Sequence, residues 1–476
     1  MNAFYDLWNQ TRPAFSQVRS FFRTRKLALS ALVCLGRRTV SGMLTTAGRQ
    51  FVDWSADYRI FEQERFRSQG LFDVARRAVG IELPTAEPLV VSMDDTLLRK
   101  KGRKVAGAAW RRDPLGPQFQ TNLVWSQRFL QISAALPEQQ GASRARAIPI
   151  DLTHCPSAKK PKQSAPAEEW NEYKQKQKIM RVSAQGAQRI WGLRNSLDQD
   201  ANGKQRQLVV CADGGFTNET VLKKIPPRTT YIGRIRKDAK LYYLPEGGSK
   251  ERGRKAVYGE QLPTPEQIRQ DESIRWETVE AYAAGKVHAF EVKALGPVRW
   301  RAAGGGLNLR LIVIRPLAYR PCKKSKLLYR DPAYLICTDP ALSLDKVLQY
   351  YVWRWEIEIN FRDEKTLLGV GQAQVWTEKA AQSVPQLLVA AYAFLLLSMH
   401  RVYGVSSNVF PTPKWRPRNK ERRMSTAEGI GMLRAQLWGR ALGENNFSGF
   451  VESLHRAQKS EKLENQLPAA LIYGVG

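Results

Sequence analysis

Residues 89–234 set the tightest limit on the fold. An apolar, β-branched run over 89–93 (LVVSM) predicts a buried strand that ends in Asp94-Asp95-Thr96. A basic turn, RKKGRK, leads to a second strand, and QTNLVWSQRFLQISAAL predicts a third. CPSAKKPKQSAPAEEW reads as a Pro/Lys/Ser loop, and a helix follows over about residues 170–195. RQLVVCADGG predicts a fourth strand ending at Asp213, and TTYIGRIR a fifth after a short helix. Three meandering strands followed by alternating helix and strand predict a mixed sheet in an α/β core.

The flanks differ from this core. The chain has 476 residues, more than one core usually organises. Residues 1–80 read as helical, and RKLALSALVCLGRRTVSGMLTTAG resembles two helices joined at Gly36, the second opening at Arg37 or Arg38, as in a helix-turn-helix. Short alternating runs between Gly-rich breaks over 241–340 predict an inserted antiparallel β region. A long helix is expected from an N-cap at Ser343, with Asp345 in its first turn, to about Gly369. A basic, Pro-rich linker follows, ending in a capping box from Ser425 to Glu428. The expected divisions are 1–80, 85–240, 241–340, 341–400 (the end of the core) and 401–476.

Lys plus Arg is 75 against 44 Asp plus Glu, a net charge of +31. The excess runs through the whole chain and calls for a polyanionic partner, most simply nucleic acid. The opening residues lack the apolar segment of a signal peptide. The run at 387–397 (LLVAAYAFLLL) is too short to span a bilayer and reads as a buried helix. Five scattered cysteines without CxxC argue against a disulfide framework or zinc site and fit a reducing cytoplasm. The four histidines include no pair at ligand spacing, which leaves little material for His-based catalysis.

Carboxylates carry the chemistry instead. Asp94/Asp95 and Asp213 end core strands, at the rim where ligands and metals bind. Two carboxylates there repel unless a cation separates them, and Mg²⁺ prefers such oxygen ligands. A third acid is expected from YVWRWEIEINFRDEK (residues 351–365). At about 100° per residue, Tyr351, Arg354, Glu358 and Lys365 share a stripe about 60° wide, with Arg362 near it. Glu356, Asp363 and Glu364 fall roughly 120–140° away. Glu358 alone among the four acids shares its face with two cations and a phenol. Trp353 and Trp355 read as core, with stacking on an unpaired base as the alternative, and RKKGRK (residues 99–104) as a solvated turn beside the first acid, with DNA contact as the alternative.

The spacing Y-x2-R-x3-E-x6-K in Tyr351, Arg354, Glu358 and Lys365 resembles the signature helix of insertion-sequence DDE transposases of the insertion-sequence-four-like group. The wider likeness takes in DDT, ADGGFTNETVL, YIGRIRKDAKLYYLP and WRWEIEINFRDEKTLLG, over about residues 85–400. This resemblance implies a ribonuclease H-like α/β fold: a mixed-sheet core with a β insertion before the last catalytic helix, flanked by helical N- and C-terminal regions. It implies a DNA transposase that cuts at the inverted-repeat ends of its element and joins them to target DNA. Carried over by position, Asp95, Asp213 and Glu358 are the catalytic, metal-binding acids. Asp94 stands as the alternative to Asp95, because alternation along a strand turns the two to opposite faces. Tyr351, Arg354 and Lys365 would contact phosphates, with Arg362 beside them. Two Mg²⁺ ions, or Mn²⁺ in their place, would serve an in-line displacement. A homodimer would synapse two DNA ends, in a bacterial cytoplasm and at the nucleoid, with no membrane involved. A ribonuclease H-like nuclease without strand transfer and an inactive DNA-binding derivative are the competing readings.

Overall fold

The computed structural model describes residues 1–117, 119–245, 256–320, 322, 325–404 and 423–442, the last four of these by backbone alone. The Gly-rich break at 246–255 and most of the basic Pro-rich linker lie outside the described residues, as does the C-terminal region beyond 442.

Five helices open the chain: α1 (Asn2–Gln10), α2 (Val18–Val33), α3 (Val40–Thr46), α4 (Ser55–Glu62) and α5 (Ser68–Glu82). In α1 the apolar residues recur at i, i+3 and i+4, so Phe4, Leu7 and Trp8 bury together. Trp8 meets Phe15 and Phe21 with ring centroids 6.3 Å away in each case. Thr39 caps α3 by accepting a bond from the Gly42 amide. Two helices therefore flank Gly36 as expected, but the second opens at Val40 and not at Arg37 or Arg38, and Arg38 turns inward. It is 3% exposed and donates to the Cys34 carbonyl, so it is not offered to a partner.

Four strands follow: β1 (Leu89–Arg99), β2 (Ala109–Arg112), β3 (Leu123–Pro137) and β4 (Ala145–His154). The sequence reading has three strands here. The missed strand, β4, contains Pro149, which cannot donate to a ladder. The pairing accommodates it with a register shift: Ile132 faces Asp151, while Ser133 faces Pro149. The helix expected near 170–195 is two helices, α6 (Ala167–Met180) and α7 (Val182–Asp198), meeting at an extended Arg181. Next come β5 (Leu208–Ala212), α8 (Glu219–Leu222) and β6 (Thr229–Arg234). β1, β5 and β6 pair in parallel, while β1 and β3 are antiparallel, so the core sheet is mixed.

The following segment comprises β7 (Leu241–Tyr242), α9 (Pro265–Gln270), β8 (Glu277–Ala283), β9 (Lys286–Trp300), β10 (Leu309–Ile314), β11 (Ala318–Tyr319), β12 (Leu328–Tyr329) and β13 (Ala333–Cys337). Its strands are antiparallel, and β13 pairs with β6, so most of them continue the core sheet in the order β2-β3-β1-β5-β6-β13-β10-β9-β7. The chain then enters α10 (Leu344–Trp353), α11 (Glu356–Thr366), α12 (Glu378–Tyr403) and α13 (Thr426–Leu442). The expected single long helix is broken. Arg354, Trp355, Ile357 and Glu358 donate to carbonyls three residues back, which tightens the turn between α10 and α11.

Strand alternation gives the sheet two apolar faces. Val90, Val209, Cys211 and Ile232 meet α10 through Val347, Leu348 and Trp353. Val91, Met93, Val210 and Ala212 belong to the larger core under the N-terminal helices and α12. α12 is long and apolar enough to cross a membrane, yet 89% of its apolar window is buried inside this fold. The expected capping box is present at α13: Ser425 and Glu428 exchange side-chain-to-amide bonds of 2.8 and 3.3 Å.

Candidate active site

Asp94 and Asp95 lie within β1, which runs on to Arg99 as a hairpin with β3; they do not end the strand. The parallel neighbour does end here. β1 pairs with β5 only as far as Met93–Ala212, and Asp213 follows at once. The acids therefore gather where the sheet opens. Asp213 Oδ1 accepts from the Gly215 amide at 2.9 Å, and its carbonyl accepts from the Thr217 hydroxyl at 2.7 Å. Gly233 on β6 makes room for this turn, since a Cβ there would meet Thr217 Oγ1 at 2.2 Å.

The two neighbouring aspartates part company. Asp94 continues the Val90 face, toward α10 and α11. Its Oδ2 is 3.6 Å from Arg354 Nη1, and Arg354 Nη2 is 3.3 Å from Glu358 Oε1. One guanidinium thus bridges Asp94 and Glu358. Arg354 also lies 5.7 Å from the Tyr351 ring centroid. Burial would lower the charge affinity of Arg354, but Tyr351, Asp94, Glu358 and Asp213 outweigh it and hold the guanidinium charged. Burial, then the Asp213 charge, pushes the Asp94 carboxyl up to about 7 despite Arg354.

Asp95 takes the opposite face. Its Oδ2 is 3.2 Å from Arg128 Nε, and with Arg111, Arg128, Tyr173 and Asp213 it lines a cleft of about 580 Å³. Burial raises its carboxyl, with Arg128 opposing. Sequence reasoning singled out neither Arg111 nor Arg128. Only the antiparallel register, which sets Leu97 opposite Arg128, brings that cation diagonally beside Asp95.

The other three acids of the 351–365 stretch are taken up structurally. Arg423 donates to Glu356 at 2.5 Å. Asp363 accepts from Thr426 at 2.6 Å and from Arg362 at 2.9 Å. Glu364, 2% exposed, accepts from Gln131 of β3 at 2.9 Å, and burial lifts its carboxyl to about 8. Glu358 is the remaining acid, 37% exposed and facing the site. Arg362 spends its guanidinium on Asp363 and stays away from Glu358. Lys365 is exposed and acts on Asp95 and Asp94 through its charge. Trp353 is buried and donates to the Ser143 carbonyl at 2.8 Å, as a core residue should. Trp355 is 59% exposed and is not core, because the tightened turn rotates it outward.

Among the described residues, no three His, Cys, Asp or Glu side chains stand close enough to hold one metal ion. The donor chemistry nevertheless fits a divalent cation. All the groups are carboxylate oxygens, Asp94 and Asp213 repel, and a guanidinium occupies the space between Asp94 and Glu358.

Residues 16–304 match the family described as DDE superfamily endonuclease. The matched stretch includes Asp94, Asp95 and Asp213 and ends before α10. No curated protein matches the chain. DDE-type endonuclease domains act on nucleic acid and generally use divalent metal ions. With the mixed sheet, the helices at both ends and the acids at the opening between β1 and β5, this match means that the chain belongs to the DDE superfamily endonucleases.

Proposed function

We propose that the chain is a DNA transposase of the insertion-sequence-four-like group, which cuts at the inverted-repeat ends of its own element and joins them to target DNA. The observation that carries this reading is the Arg354 bridge between Asp94 and Glu358, with Asp213 acting on both Asp94 and Arg354. We assign the first acid to Asp94 and not Asp95, because Asp94 shares the sheet face of Glu358. Asp94, Asp213 and Glu358 would hold two Mg²⁺, or Mn²⁺, and Arg354 beside them would be the group to meet a phosphate. The metals would supply activation of water or a 3′-hydroxyl and neutralisation of the leaving oxygen.

The chain's own residues do the remaining work. Arg354, a charged guanidinium beside the carboxylates, would offer a phosphate two donors next to the metal-holding acids. Tyr351 stacks against that guanidinium and orients it. Lys365 adds positive charge beside the first acid. The net charge of +31 attracts a DNA backbone, and the N-terminal region 1–80 is a candidate for reading the ends. Two ends require two active sites, hence a homodimer in the synaptic complex, at the bacterial nucleoid.

The test is a supercoiled plasmid carrying the native flanking DNA of the gene, with Mg²⁺ or EDTA, beside Glu358→Gln. Release of the intervening segment that needs Mg²⁺ and vanishes in the variant, with end binding retained, is the expected result. Full cleavage by Glu358→Gln would remove Glu358 from the site. Cleavage without strand-transfer products would favour the plain nuclease. Binding without cleavage in either metal would favour an inactive DNA-binding derivative.

A further inference from the structure

The corner of the sheet beyond the carboxylates carries a second feature. Trp110 on β2 and Trp125 on β3 are directly opposed, with ring centroids 5.7 Å apart. Arg103 lies over both indoles, at 5.6 and 6.0 Å. Lys104 lies 5.5 Å over Trp376, which follows α11. Trp110 is 54% exposed and Trp376 is 62% exposed, although indoles are usually well covered.

This corner is built and held. The Lys101 and Gly102 amides both donate to Gln374 Oε1 at 3.1 Å, and Trp125 Nε1 donates to the Gly102 carbonyl at 3.1 Å. The buried Lys100 ammonium donates to the Gly371 and Ala373 carbonyls at 3.1 and 2.9 Å. Arg99 pairs with Asp113, but among the described residues Lys101, Arg103 and Lys104 have no carboxylate within ion-pair distance.

We propose that Trp110 and Trp376, with Arg103 and Lys104, form a stacking platform for the unpaired bases of a single nucleic-acid strand. Exposed indoles held beside unpaired cations match a ligand that offers aromatic faces and negative charge together. Duplex DNA has the charge, but its bases already stack on one another, so its side gives the indoles little. Lys100, just past the end of β1, stands five residue steps from Asp95, about 17 Å, or about five stacked nucleotides. A strand frayed at the carboxylates would reach the platform. That source of the strand rests on the proposed function; the platform's preference for unpaired bases does not.

The test uses the full chain in EDTA, with fluorescence anisotropy of a labelled oligothymidylate and of a blunt duplex of the same length. Trp110→Ala with Trp376→Ala should weaken the oligothymidylate by at least about 5-fold, up to about 150-fold for each base that loses its stack. The blunt duplex should bind as before, and the paired Phe variants should keep most of the single-strand affinity. Both rings are more than half exposed, so the melting temperature should hold. Equal loss of both ligands, no loss of either, or failure of the Phe variants to rescue would overturn the platform. Cleavage of duplex in Mg²⁺ is scored separately. Its absence beside intact single-strand preference would discard the transposase reading and leave the platform standing.

Discussion

Replacing Asp94 by Asn should make the metal-free protein more stable at alkaline pH and no more stable at acid pH. Burial and the Asp213 charge push the Asp94 carboxyl from 3.8 up to about 7. A folded value raised above the unfolded one means that the folded state holds the proton more tightly. Asp94 therefore destabilises nothing below about pH 4, and the penalty grows between about pH 4 and pH 7 and is complete above that. A shift of about three units corresponds to about 4 kcal/mol at pH 8.5, an upper bound for a side chain still 20% exposed. With an unfolding entropy of about 2.1 cal/mol/K per residue over 476 residues, the gain in Tm is at most about 4 °C. Scanning calorimetry in EDTA at pH 4 and pH 8.5 reads it directly. Mg²⁺ should stabilise the native protein at pH 8.5, through the same charge, and should do much less for Asp94→Asn. The corresponding Asp95→Asn gain should be smaller, because Arg128 already opposes that charge. If Asp95→Asn shows the larger alkaline gain and abolishes the Mg²⁺ effect, Asp95 is the first acid and the face argument fails.

The remaining predictions concern the supports of the site. Arg354→Lys should lose more than about tenfold in plasmid cleavage, since an ammonium cannot hold a phosphate through two parallel N–H bonds as a guanidinium does. Glu364→Gln should raise stability above about pH 8, where the native carboxyl is forced to ionise in the core, and change little below pH 4.5; urea titrations at pH 5 and 9 distinguish the two. Gly233→Ala sets a methyl against Thr217 and should cost about 1–3 kcal/mol, with slower cleavage because the Asp213 turn shifts. Leu388→Ala in the middle of α12 should cost about 2–5 kcal/mol by denaturant titration, as for a buried helix inside a soluble core. An unchanged midpoint there would mean that α12 is not packed as described.

The local signals in the chain were strong where they depend on near neighbours. The apolar runs that became β1, β5 and β6, the single buried segment of α12 and the capping box at Ser425 all follow from side-chain periodicity or contacts within a few residues. The separation of Glu358 from Glu356, Asp363 and Glu364 was legible from helical spacing as well, and the three others do find structural partners. β4 was missed because Pro149 and a bulge break its pattern, and both are repaired only by β3 across the ladder.

The candidate acids and the order in which strands and helices carry them are readable along the chain, because both follow from residue type and short-range geometry. Which of two adjacent aspartates shares Arg354 with Glu358 was decided only in the tertiary structure. Alternation says that they face apart, but the side holding α10 and α11 depends on how the whole sheet is covered. The same holds for Arg128 beside Asp95, for Trp355 turned to solvent by a tightened turn, and for Trp110 and Trp376 sharing one corner from distant segments. Contacts of this kind join residues far apart in the chain, and no local pattern encodes them.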